Sequence, residues 1–182
     1  MNKSGFNKLF WGFFFILLNF RINGIDMLPD IVGYMFFFFG LREFEEDNNF
    51  FLKAKNFSIP MILLSLLSIY ERPAQGSGFN FGTYGGFGVL IGIASIILGL
   101  LLVYNIFMGI RELAYSRQLS EIALEAQKRW NQYLTLQIAV IAAFLLIFVP
   151  FLAFIFIICL AIGAIVLAIC ILMFMKKCER YF

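Results

Sequence analysis

Histidine is absent from this chain, and that one absence removes a good deal of chemistry. Imidazole is the usual general base near neutral pH and the usual metal ligand, so mechanisms built on it are excluded. Cysteine does not fill the gap. Cys159 and Cys170 lie inside an apolar segment and Cys178 just beyond it, and no two have metal-ligand spacing. Buried cysteine behaves as a small hydrophobe, and these three do not make a disulfide framework. No metal site and no cofactor is expected. Charge is scarce too: 14% of the residues are charged against 62% hydrophobic, and mean hydropathy is +0.91. A soluble domain is nearer a quarter charged. The surface that water would wet is missing, so the lipid bilayer is the expected solvent and first partner. The net charge of +3 gathers into no basic patch for nucleic acid.

What the chain has is apolar length and phenylalanine. Its 25 Phe include Phe13 to Phe15 and Phe36 to Phe39. Aromatic packing accounts for such runs, and so does a biased genomic base composition. The central stretch runs from Gly85 to Ile110 without a charge, long enough at 1.5 Å per residue to cross a core of roughly 30 Å. Gly85, Gly88, Gly92, Ser95 and Gly99 recur at steps of three and four and form one small-residue stripe, the expected packing face of a central helix. Ala139, Ala142 and Ala143, with Ala161, Ala164 and Ala168, offer small faces to meet it.

The expected fold is all-α, a polytopic helical bundle filling residues 1–182 as a single transmembrane domain. Spans are placed at about 6–20, 27–41, 57–70, 86–110, 134–149 and 151–175. Lys3 and Lys8 followed by an apolar run resemble a signal peptide, but no small-x-small cleavage pattern follows, so the segment reads as an uncleaved span. From Leu134 to Met175 the chain is apolar for about twice the length of one span, and Pro150 marks the break. With the N-terminus inside, Arg21 and Arg72 alone of the 14 basic residues fall outside. That is a strong positive-inside signal, placing a multi-pass protein in the cell membrane with both termini cytoplasmic. The first three segments are short, and a re-entrant hairpin of the first two satisfies the charge rule equally well. The connection 111–133 reads as a helical hairpin extending two spans, with Glu125 pairing toward Lys128 or Arg129, or else as a docking surface for a cytoplasmic partner.

Polar groups at or inside the membrane are functional candidates. The richest cluster lies on the outer side. Asp26 is placed to cap the second helix, with Pro29 and Asp30 in its first turn, Gly24 at the bend and Arg21 in reach of either acid. The functional reading adds Glu71 and Arg72, making an outward cup for a cation, an amine or a peptide. Ser58, Ser65 and Ser68 form either a hydroxyl track or bonds to their own helix carbonyls. Asn105 and Gln137, placed at similar depth, are expected to pair between the fourth and fifth helices. The segment Phe20-Arg-x-x-Gly-x-Asp-x-Leu-Pro-Asp-x-x-Gly-Tyr34 resembles the opening of uncharacterised small membrane proteins of Gram-positive bacteria. That resemblance implies a bacterial membrane protein and carries over no activity or site.

Asp26-x-x-x-Asp30 is also similar to the final acids of the CDP-alcohol phosphotransferase motif, but the preceding Asp-Gly-x-x-Ala-Arg element is absent, and the pair sits away from cytosolic nucleotides. An enzyme is therefore not expected. Two classes stay open. One is an accessory, regulatory or interaction subunit that works through contacts with a membrane or cytoplasmic protein, or with further copies of itself. The other is a small-solute transporter, a channel, or a subunit like the six-span substrate-binding parts of vitamin importers. A transporter wants a polar site at the midplane. Here the midplane offers serines and little else.

Overall fold

The structure is a computed structural model that describes residues 3–17, 21–22, 25–26, 30–68, 86–145 and 150–182; within these, side chains 21–26, 67–68, 86–89, 144–145 and 150–152 are left undescribed. The chain order is α1 (Lys3–Leu17), β1 (Arg21–Ile22), β2 (Ile25–Asp26), α2 (Asp30–Arg42), α3 (Asn49–Ser68), α4 (Gly86–Ser116), α5 (Ser120–Leu145) and α6 (Pro150–Tyr181). The all-α expectation holds for the six helices. The stretch between the first two is more than a bend, because two two-residue strands pair antiparallel with Arg21 opposite Asp26. Asp26 is thus on a strand, four residues ahead of α2, and does not occupy that helix's cap.

Helix ends follow local chemistry. Asn48 accepts the Phe51 N–H at 3.1 Å and caps α3, while its own amide donates to the Gly109 carbonyl of α4 at 3.0 Å. Pro150 opens α6, where its missing N–H does no harm. Between α4 and α5 the chain turns in three residues. Leu119 N–H donates to Ala114 O at 2.9 Å and Gln118 N–H to Tyr115 O at 3.1 Å, with Gln118 at φ 60°. Those two bonds are a Schellman cap, with Gln118 at the position glycine usually holds. The expectation of a helical hairpin over 111–133 is met.

Each helix packs against its sequence neighbours, and α6 returns to α1, closing a ring. One end of that ring is solid. Phe6, Phe13, Phe37, Phe44, Phe51, Phe107, Phe174 and Phe182 are all fully buried there. Phe107 of α4 reaches inward, its ring centroid 5.9 Å from Phe13 of α1 and 6.1 Å from Phe174 of α6. Each ring contact adds dispersion and edge-to-face attraction, and eight interlocking rings tie the helices together at this end. The other end is open: Leu90, Ile93 and Ile97 of α4 and Phe154, Ile162 and Ile165 of α6 are exposed.

Among the described residues, two helices are long and apolar enough to cross a membrane, over Leu90–Ser116 and Ala153–Tyr181. The other four fall short for separate reasons. Helices α1 and α2 have 15 and 13 residues, about 20 Å each. Lys53 and Lys55 stand in the first turns of α3, and the first half of α5 is polar.

Candidate functional site

The ring collects charge at its solid end. The start of α1, the α2–α3 loop, the α4–α5 connection and the end of α6 are tied together there. Lys8 of α1 is ion-paired with Glu43, and Lys55 of α3 with Glu45. Lys176 of α6 reaches Asn7 of α1 at 3.4 Å, and Arg117 reaches the Phe182 carbonyl at 3.5 Å with its guanidinium 5.1 Å from that residue's ring. The four basic stretches that the sequence placed on one side are one surface.

On that surface lies a groove of about 650 Å³ between α1, α5 and α6. Helix α6 supplies its long wall. Ile169, Met173, Lys176 and Arg180 follow one another at steps of four, three and four, so one face changes from apolar to basic within a turn. Phe10 of α1 closes one side, and Lys176 Nζ sits 4.9 Å above its ring. Glu125 and Arg129 of α5 close the other.

Glu125 is the hub. It accepts from Arg129 at 3.0 Å, one helical turn on, and from Lys177 of α6 at 2.7 Å. Desolvation pushes its carboxyl up, but the hydrogen bonds from Lys177 and Arg129 outweigh that and hold it below the ordinary carboxylate range. The same bond to Glu125 raises the Lys177 ammonium. Arg129 also donates to Gln132 at 3.0 Å, and its Nε is buried with no acceptor. Lys176 is paired with Glu179 at 2.9 Å. Arg180 is exposed and has no partner among the described residues. Cys170 lines the groove, and burial pushes the Cys178 thiol up, as suits an inert side chain.

The residues singled out from the sequence fare unevenly. Glu71, Arg72 and Gly85 lie outside the described residues, as do the side chains of Arg21 and Asp26; of the outer cup, Asp30 stands in the first turn of α2 and the backbones of Arg21 and Asp26 pair. Gly92 has nothing within 4 Å of where a Cβ would stand, and Gly99 has only the tip of Met61 at 3.8 Å. Ser95 bonds its own helix at Ile91 O, 2.9 Å away. Within this chain the described part of the stripe is not the packing seam. Helix α4 is central instead over Leu102 to Ala114, where most residues are buried.

The close contacts belong to other glycines. A Cβ on Gly33 of α2 would lie 3.0 Å from the Gly12 carbonyl of α1, and one on Gly40 would lie 3.1 Å from the Gly5 carbonyl. Gly5 and Gly12 are seven residues apart, as are Gly33 and Gly40. That matched spacing in two adjacent segments was the readable signal for an antiparallel pair. Gly109 does similar service, with the Phe51 ring 2.7 Å from its would-be Cβ.

Asn105 and Gln137 are not brought together. The Asn105 amide donates to Leu101 O at 2.6 Å, and Gln137 engages Tyr133 on its own helix. The reason is register. Arg111 is level with Gln127, and Tyr104 with Trp130, so Asn105 faces the level of residue 131, about a turn and a half from Gln137. Ser58 and Ser65 are buried and donate to Lys55 O and Ile62 O at 2.6 and 2.8 Å, serving their own helix. The expected Glu125–Arg129 pair is present.

No family model matches the chain, and neither a curated protein nor a solved structure matches it.

Proposed function

We propose that this chain is a small integral membrane protein with all six helices in the bilayer, its charged end and both termini in the cytosol. It works there as a non-enzymatic accessory, regulatory or interaction subunit of the cell membrane. The observation that carries this reading is the division of α4. Its second half is buried in its own bundle, while its first half shows Gly92, Ile93 and Ile96 to the outside. In lipid a small-residue face packs against another helix by close approach, and among the described residues no helix of this chain meets it, which favours a helix of another chain or another copy.

The charge distribution supports the orientation, since positive loops are retained on the cytoplasmic side. The α1–α2 pair enters from the charged end and returns to it, whether local thinning lets it span or it stays re-entrant. At about 20 Å each, these helices fit either form.

Affinity purification in mild detergent, with mass spectrometry of copurifying proteins and small molecules, tests the reading. The expected result is a stoichiometric partner, another protein or a second copy, lost when Gly92 and Ser95 are both replaced by Leu. A protein that runs as a lone monomer and retains a small solute, lost on Asp26→Asn, would move the assignment to transport.

A further inference from the structure

We propose that the groove between α1, α5 and α6 binds one anionic phospholipid from the cytoplasmic leaflet, a site that rests on the membrane reading above. The groove has two chemistries in the order a lipid needs. Toward the open end of the bundle its α6 wall is Ile169 and Met173, continuous with the exposed Ile162 and Ile165. Toward the charged end it is Lys176, Lys177 and Arg180, joined by Arg129. The change falls where α6 leaves its apolar run, the depth at which lipid phosphates lie.

Charge favours an anion. Four cationic side chains line the groove against one carboxylate, that of Glu125. Counting Glu179, which takes up Lys176, and Glu121, whose charge acts on Lys177, an excess of one positive charge remains. Among the described residues Arg180 is exposed and has no partner. A guanidinium with spare N–H groups is the natural fork for a phosphodiester. A volume of about 650 Å³ holds a headgroup and the first part of an acyl chain. A basic pocket between membrane helices on the cytoplasmic side is the setting in which acidic headgroups are held. A zwitterionic lipid brings no net charge to meet this excess, and a soluble anion would leave the apolar wall uncovered.

The full-length protein is first assayed for membrane integration by alkaline extraction and flotation. It is then titrated in detergent with phosphatidylglycerol or phosphatidylcholine and followed by native mass spectrometry. One phosphatidylglycerol per protomer is expected, retained about tenfold or more over phosphatidylcholine. Replacing Arg180 and Arg129 by Gln should abolish that preference while thermal unfolding shows the bundle intact. Replacing Lys3 and Lys53, exposed cations of the same end that lie outside the groove, should leave it unchanged. Equal retention of the two lipids, or equal loss in both double variants, overturns the site. So does a preference that survives Arg180→Gln combined with Lys177→Gln, the variant to use if loss of Arg129 unfolds the chain. A protein that fails the extraction assay refutes the membrane reading itself; one that integrates but shows no preference refutes this site alone.

Discussion

Two sets of glycines divide this molecule. Gly5, Gly12, Gly33 and Gly40 stand where backbones nearly touch, α1 against α2. Gly92, on the longer and more regular stripe, faces open space. Both sets satisfy the spacing rule for a helix face. What separates them is that the first set is matched across two adjacent segments and the second is not. A small-residue stripe on one helix is half an interface, and only a partner stripe in register makes the other half.

Substitution breaks that comparison most sharply. Gly33→Ala puts a methyl 3.0 Å from the Gly12 carbonyl and 2.6 Å from Ile16 Cγ1, and a backbone atom cannot step aside as a side-chain tip can. The expected loss is about 1–3 kcal/mol, read as a lower unfolding midpoint in detergent. Gly92→Ala meets nothing and should leave the same midpoint unlowered or raised by up to about 1 kcal/mol, because alanine costs less conformational entropy inside a helix. Equal effects at the two positions would erase the distinction.

Gly109 extends the first set, because its carbonyl receives the amide of Asn48. Asn48→Ala removes both that bond and the α3 cap. A loss of about 1–2 kcal/mol is expected in the same unfolding measurement. Asn48→Asp, which keeps the cap but loses the amide donor, should fall between.

How much of this was legible depends on whether the signal was local. Helix number, the break at Pro150, the helical 111–133 connection and the Glu125–Arg129 pair come from composition or from residues within a turn of each other. All four are present in the structure. Asn105 with Gln137 failed because the depth of each was counted from a different landmark. Arg111 and Trp130 are not level, and only contacts across the helix pair reveal it. Base composition bears on how many phenylalanines the chain has, not on which are buried: of Phe13, Phe14 and Phe15, only Phe13 is in the core. The groove joins α1 to α5 and α6, across more than a hundred residues of chain, and no local pattern encodes that closure.

Charge sharpens the contrast between packed and bare surfaces. Glu125 has its folded-state carboxyl held below its ordinary value of 4.5, so its contribution is full above that value and is lost as pH falls through the lowered one. Lys177 runs the other way: its contribution is full below 10.5 and is lost as pH rises through the raised value. Both groups are partly exposed, which keeps the effect near that of a surface pair. Glu125→Gln should cost about 1 kcal/mol at neutral pH, with the gap to the parent closing as pH falls below 4.5 and through the lowered value. A gap that persists in acid would mean the residue acts through packing.

The smallest effect has the opposite sign and returns to glycine. Gln118 is the residue that turns α4 into α5, at φ 60°, where a side chain crowds the backbone. The cap itself is made by two backbone bonds, Leu119 to Ala114 and Gln118 to Tyr115, so the Gln side chain is not needed for it. The residue is exposed, and removing its side chain leaves no hole in the core. Gln118→Gly relieves the crowding but gives the unfolded chain more freedom, and the two terms oppose each other. Relief is of order 1–2 kcal/mol and the entropy cost about 0.4–1 kcal/mol, which leaves a net gain of about 0.5–1 kcal/mol. The expected reading is a small rise in the unfolding midpoint with the lipid preference of the groove unchanged. A fall would show that the Gln side chain holds the turn. Glycine would then be dispensable where this backbone favours it.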